Sequence, residues 1–244
     1  MKHKTFDYII NPVHPVSVIL IGCGGTGSHM LTQLARINAA LWALDHPGLF
    51  VTAYDDDIIE PHNVGRQMFS PAQPGQNKAI ELVTTINRYY GLNWEGVAER
   101  WDGFQANIII TAVDTIKSRK EVLRLWKDPD MENVHNTYRE MRKPFYWLDI
   151  GNLQHSGQIV LAGKNKSLKN IFDLHPELLK QKDKKAEPTC SMQESLQHQD
   201  LFINSILAQY AGHLLWGLWN NLGTDYQGLY INLKSLLTSK IEIK

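Results

Sequence analysis

The sequence predicts an α/β fold: a doubly wound, mainly parallel sheet with a C-terminal helix-and-strand extension. Three observations predict it. Short apolar, β-branched runs alternate with stretches whose apolar residues recur at helical spacing, the pattern of a parallel sheet covered by helices. The runs that begin at Val16 and Asn107 are continuously apolar, as strands buried on both faces are. The run Val18-Ile19-Leu20-Ile21 also passes straight into the glycine-rich turn Gly22-Cys23-Gly24-Gly25-Thr26-Gly27, ahead of a helical pattern.

Taken in order, residues 16–21 are the first expected strand. Gly22, Gly24 and Gly27 after it fit G-x-G-x-x-G, the turn of a Rossmann-like unit. Small residues there let the backbone approach phosphates, and free N–H groups at the helix start favour negative charge. A helix is expected over 27–37, with Met30, Leu31, Leu34 and Ile37 on one face. Residues 39–48 read as a long connection. The next strand, 50–54, runs into Asp55-Asp56-Asp57, and an acidic residue at a second strand's tip bonds ribose hydroxyls in such units. Helices over 76–89 and 117–126 then alternate with strands over 107–113, 144–150 and 157–162. Residues 164–187 are lysine-rich and read as a solvated loop with a short helix around 174–179. A helix over 199–219 carries Phe202, Ile206, Tyr210, Leu214 and Leu218 on one stripe, widened by Trp216 and Trp219. It is a core or contact helix. A last strand is expected over 226–234.

At 244 residues the chain can bury a full core. Its 25 basic and 25 acidic residues cancel, which argues against a nucleic-acid surface, where a basic excess is expected. No apolar run approaches the roughly 20 residues needed to cross a bilayer. The start, Met1-Lys2-His3-Lys4-Thr5-Phe6-Asp7, lacks a signal-peptide core. The expectation is a cytoplasmic protein with neither membrane nor nucleic-acid partner. Cys23 and Cys190 lie far apart and form no C-x-x-C, and the histidines show no H-E-x-x-H, so no zinc is expected.

A second block reads Asp55-Asp56-Asp57-Ile58-Ile59-Glu60-Pro61-His62-Asn63-Val64-Gly65-Arg66-Gln67, followed by Gly75-Gln76-Asn77-Lys78-Ala79. A third is Thr111-Ala112-Val113-Asp114, with Arg119 five residues on. At these points the chain resembles the E1-like activating enzymes, the ThiF/MoeB/HesA family, over residues 16–162. The resemblance implies an E1-like adenylation fold. It also implies ATP-dependent adenylation of the C-terminal glycine carboxylate of a small ubiquitin-like, β-grasp protein by a homodimer. By motif position, Gly22, Gly24, Gly25 and Gly27 would line the nucleotide and Asp55 would hold the ribose. Asn63, Arg66, Gln67 and Lys78 would surround the phosphates, and Asp114 would hold Mg²⁺, a hard ion that prefers oxygen. Asp57 matches the second acidic position, and Asp149, Asn152 and Gly157 resemble a strand near the substrate tail. The implied organisation is one adenylation unit over 1–244: a core at 16–162, a crossing segment at 164–190, and a C-terminal helix and strand at 191–244.

The chain departs from the family pattern in three ways. Homodimeric relatives carry an N-terminal arginine that reaches the partner's ATP, whereas residues 1–17 hold none. Either another cation such as Lys2 or Lys4 substitutes, or transition-state stabilisation is impaired. The family's zinc cysteines and a clear thioester motif are also absent. Cys190, in Glu187-Pro188-Thr189-Cys190-Ser191, is the candidate nucleophile, at what reads as a helix start able to lower a thiol pKa. A buried, inert cysteine is the alternative. This run and Gln199-Asp200-Leu201-Phe202-Ile203-Asn204 also resemble the ThiF-related proteins of the PRTRC system. Two alternatives of function stand beside the activating enzyme: a degenerate nucleotide-binding scaffold, and an NAD-dependent oxidoreductase using only the glycine turn and Asp55.

Overall fold

Among the described residues, eight strands form one mixed sheet in the spatial order Leu237–Glu242, Tyr226–Asn232, Ser156–Gly163, Tyr146–Asn152, Ile108–Thr111, Val16–Ile21, Leu49–Tyr54, Glu95–Val97. They are β2 (Val16–Ile21), β3 (Leu49–Tyr54), β4 (Glu95–Val97), β5 (Ile108–Thr111), β6 (Tyr146–Asn152), β7 (Ser156–Gly163), β9 (Tyr226–Asn232) and β10 (Leu237–Glu242). The computed structural model describes residues 2–127, 143–165, 167–183 and 199–243. A two-stranded ribbon joins β1 (His3–Lys4) to β8 (Gly223–Thr224). The helices are α1 (Asp7–Ile10), α2 (Gly25–Ala43), α3 (Lys78–Tyr90), α4 (Ile116–Trp126), α5 (Ile171–Leu174) and α6 (Ile203–Asn220).

Strands β4, β3, β2, β5 and β6 run parallel, and β7, β9 and β10 continue the sheet antiparallel. Helices cover both faces, which is why β2 and β5 carry apolar residues on both faces, with Ser17 and Thr111 the polar exceptions. Val18 and Leu20 join the cluster containing Leu31 of α2, Leu82 of α3 and Leu207 of α6. Ile19 and Ile21 join the opposite cluster, with Val122 of α4 and Phe172 of α5. The chain leaves β2 for β3 on one side and returns past it to β5 on the other. Their carboxyl ends therefore flank a crevice, the usual ligand position in such sheets.

Several expectations need correction. Helix α2 starts two residues earlier than expected and runs to Ala43, so the first half of residues 39–48 is helix and only the second half is connection. The run Asn38-Ala39-Ala40-Leu41 keeps good helix formers and a buried face, and nothing stops it. Helix α6 begins at Ile203, not Gln199. The lysine-rich stretch is not simply solvated. Leu168, Ile171 and Phe172 are core residues, and α5 ends before Pro176, where a 3₁₀ turn takes over. On α6, Leu214, Leu218 and Trp219 are buried, Trp219 donating to the Ile9 carbonyl (2.8 Å), whereas Tyr210 and the preceding cap residue Phe202 are exposed. The contact stripe is thus split between core and surface. No helix among the described residues is long and apolar enough to cross a membrane.

Candidate functional site

The crevice is a cavity of about 600 Å³ at the carboxyl ends of β2, β3 and β5. Its floor is the glycine turn. Gly22 has φ +94°, and a Cβ there would lie 2.7 Å from the Ala112 carbonyl oxygen of the loop after β5. A Cβ on Gly27 would collide with the Gly22 carbonyl. Only glycine lets the turn fold onto β5 at these two points. The helix cap residue is Gly24, with no side chain to satisfy the first-turn amides of α2, and Gly24, Gly25 and Thr26 all line the cavity. Cys23, between them, is free and buried, and burial beside Asp55 pushes its thiol pKa up, so it is no nucleophile.

One wall is the acidic loop after β3. Asp55 Oδ2 accepts from the Cys23 amide (2.5 Å) and its Oδ1 from the Asp57 amide (2.9 Å). Burial raises the Asp55 pKa, and those two amides oppose the rise. Asn77 caps α3 by accepting from the Ile80 amide (3.0 Å). Its amide donates to the Asp55 (2.8 Å) and Asp57 (3.0 Å) carbonyls, pinning the helix start to the acidic loop. Lys78, the first helical residue, thereby meets Asp57 at 2.8 Å and is only 8% exposed. The carboxylates of Asp55, Asp56 and Asp57 lie within 4.8 Å of one another, but amides, Arg100 (2.9 Å from Asp56) and Lys78 already occupy them.

The opposite wall is the segment after the 3₁₀ turn Pro61–Asn63. Asn63 Oδ1 accepts from the Glu60 amide (2.9 Å), its carbonyl accepts from the Gln67 amide (2.9 Å), and the Met68 amide donates to Ser28 on α2 (3.2 Å). These bonds hold Arg66 and Gln67 against the cavity. Arg66 NH1 donates to Gln199 Oε1. Arg66 Nε and Gln67 Oε1 are buried with no partner among the described residues. Burial lowers the Arg66 pKa, the environment resisting an uncompensated cation.

Asp114 is exposed at the end of the β5 loop, on the boundary between this cavity and a second one of about 860 Å³. Beneath it Arg119 is buried. Its Nε meets Asp149 at 2.9 Å, and its NH2 donates to the carbonyls of Val113 (2.7 Å) and Ile150 (3.2 Å). Asp149 also accepts from Thr111 Oγ1 (2.6 Å), which accepts from the Trp147 indole (3.0 Å). Asp149, expected near a substrate tail, is thus a 1% exposed brace for the Asp114 loop, while Asn152 lines both cavities.

The structure brings Gly22, Gly24, Gly25, Asp55, Asp57, Asn63, Arg66, Gln67, Lys78 and Asp114 to the lining of one cavity. Gly27 lies behind it as a packing glycine. Lys2 lines a separate small cavity beside His213, and Lys4 lies on β1, so neither faces the crevice of this chain. Cys190 lies outside the described residues. Sequence reading missed Thr26, Arg100, Trp101, Gln199 and Asn204 as cavity residues. Asn204 was findable as an isolated polar residue within the apolar 201–219 stretch.

The ThiF family model matches residues 11–240. The fold is similar to the crystal structure of PaaA, with TM-score 0.59 and 15% identity, over 93% of this chain and 64% of that one. It is equally similar to E. coli MccB, with TM-score 0.60 and 15% identity, over 93% of this chain and 62% of that one. MccB solved with ATP gives TM-score 0.58 at 15% identity, over 93% of this chain and 64% of that one. The chain thus spans slightly under two thirds of these structures, and at such identity the likeness is one of fold. A search of curated protein sequences finds no match.

Proposed function

The chain belongs to the ThiF family, and on that premise we propose that it is an ATP-dependent adenylyltransferase. In this reading it activates the C-terminal carboxylate of a small protein or peptide. The observation that carries the reading is one cavity at the β2/β5 crevice, lined together by the glycine turn, Arg66, Lys78 and Asp114. Related folds accommodate such ligands: MccB has been solved with ATP, and with AMPCPP and MccA.

A substrate carboxylate oxygen attacks the α-phosphorus, the bond to the bridging oxygen breaks, and pyrophosphate leaves with the electron pair. The chain's part is positioning and charge stabilisation. First-turn amides of α2 would hold phosphate oxygens. Asp55 would orient the ribose through its remaining lone pairs, and Arg66 and Lys78 would meet the negative charge that builds on the phosphates. An exposed carboxylate such as Asp114, completed by phosphate oxygens and water, suits Mg²⁺, which would neutralise that charge when bound. The finer reading is a glycine-terminated β-grasp substrate, a homodimer and a cytoplasmic member of the PRTRC-associated subgroup, with the whole of 1–244 as one adenylation unit.

The test is ATP–pyrophosphate exchange with purified β-grasp proteins and Mg²⁺. Exchange should appear with a cognate partner, and Asp114→Ala should lower it about 100-fold or more. Unchanged exchange in Asp114→Ala would remove the metal role. ATP with Mg²⁺ should raise the Tm and NADH should not, since only a bound ligand stabilises. The reverse result would restore the oxidoreductase. A scaffold without turnover is favoured by one observation, that Lys78 is already paired with Asp57. Tight ATP binding with no exchange for any partner would select it.

A further inference from the structure

We propose that Gln199 and Asn204 are positioning residues for Arg66, holding its guanidinium at the nucleotide cavity while leaving its charge uncancelled. This rests on the adenylation reading. The Gln199 Oε1 atom accepts two hydrogen bonds, one from Arg66 NH1 and one from Asn204 Nδ2 at 2.9 Å. Asn204 Oδ1 accepts in turn from Thr26 Oγ1 at 2.9 Å. Thr26 sits in the first turn of α2, Asn204 in the first turn of α6, and Arg66 on the segment after the 3₁₀ turn. Three elements distant in sequence therefore meet in one relay, and all four side chains line the same cavity.

The relay is held firmly at one end. Thr26 and Asn204 are buried. A Cβ on Gly25 would collide with the Asn204 amide, so a side chain there would displace Asn204 from above the turn. At the other end it is unfinished. Arg66 Nε is buried without a partner among the described residues. A buried donor without an acceptor costs free energy until one arrives. Guanidinium presents five N–H groups in a rigid fork that suits paired oxyanion contacts. A neutral amide oxygen fixes the plane of that fork and leaves the positive charge for an incoming phosphate. A carboxylate at the same place would fix the plane and neutralise the charge.

The experiment measures ATP–Mg²⁺ affinity by calorimetry, and apo Tm, for wild type, Gln199→Ala, Gln199→Glu, Arg66→Ala and the double variant Arg66→Ala/Gln199→Glu. Gln199→Glu is nearly isosteric and should keep its fold. It should weaken ATP binding about tenfold or more, the scale of one hydrogen bond to a charged group. Gln199→Ala should weaken it less. In the Arg66→Ala background the Gln199→Glu change should have no further effect, which a merely structural role would not produce. Wild-type-like affinity in both Gln199 variants, or an undiminished Gln199→Glu effect without Arg66, overturns the inference while the adenylation reading stands. Failure of the wild-type protein to bind ATP–Mg²⁺ overturns both.

Discussion

Two arginines near the crevice are treated in opposite ways: Arg119 is buried, whereas Arg66 is half-buried with its Nε shut off from solvent. Arg119 is tied to the Asp149 carboxylate and to the carbonyls of Val113 and Ile150. Arg66 is tied to a neutral glutamine and keeps its Nε without a partner among the described residues. Removing a charge from water is costly unless an opposite charge and hydrogen bonds replace the water. Arg119 meets that demand inside the chain through a carboxylate and two carbonyls, so it is framework, although Asp149 Oδ2 is itself buried with no partner among the described residues. The Arg66 region leaves it partly unmet, which is what a surface awaiting an anion looks like. The charge of the partner that each guanidinium finds within the chain therefore separates a structural cation from a functional one.

The contrast can be broken most directly at Asp149. Asp149→Ala strands a buried guanidinium and should cost about 3–5 kcal/mol in urea or thermal unfolding. A loss below 1 kcal/mol would mean that Arg119 is not framework. Arg66→Ala should act the other way round. Exchange activity should fall about 100- to 1,000-fold, roughly 3–4 kcal/mol of transition-state stabilisation, with little change in Tm. A large fall in Tm with ATP affinity retained would erase the distinction.

A third, weaker test uses a buried group that carries no charge. His3 lies between Ser167 Oγ (2.7 Å) and the Tyr146 hydroxyl (2.7 Å), and burial lowers its pKa from 6.5 to about 4. The unfolded chain binds the proton more readily, so stability is complete above pH 6.5 and declines as pH falls toward 4. The decline should reach no more than about 3 kcal/mol. His3→Gln should flatten the stability profile across that window, and an unchanged slope would show that the imidazole stays neutral at no cost. The smallest effect is expected at Arg100, whose ion pair with Asp56 is solvent-exposed. Arg100→Ala should leave the Tm unchanged, because such pairs contribute little net free energy.

How far the sequence could be read follows from the range of each interaction. Strands β2 and β5 were legible because double-sided burial writes a nearly unbroken apolar run, and the glycine turn because Gly22 and Gly27 have sterically defined tasks within a few residues of each other. The grouping of Arg66, Lys78 and Asp114 was legible only as a motif, since nothing local says that residues 48 apart share a cavity. Strand β4 is three residues long, and β10 is an edge strand exposed at most positions, so neither leaves a periodic signal. Asp149 carried a motif match but its pairing with Arg119 did not show. Gln199 was the hardest: its partner Arg66 is 133 residues away, and a glutamine just ahead of an apolar helix reads as ordinary solvent-facing sequence.

The ribbon between β1 and β8 has a practical corollary for anyone purifying this protein. His3 is 1% exposed and pairs in register with Thr224, so an extension ahead of Lys2 begins one residue from a packed imidazole. An affinity handle fused there would start beside that buried ribbon, whereas one following β10 would leave from beside the sheet's outermost strand. Preparations differing only in which terminus carries the handle should differ in melting behaviour, and the amino-terminal fusion should be the less stable of the two.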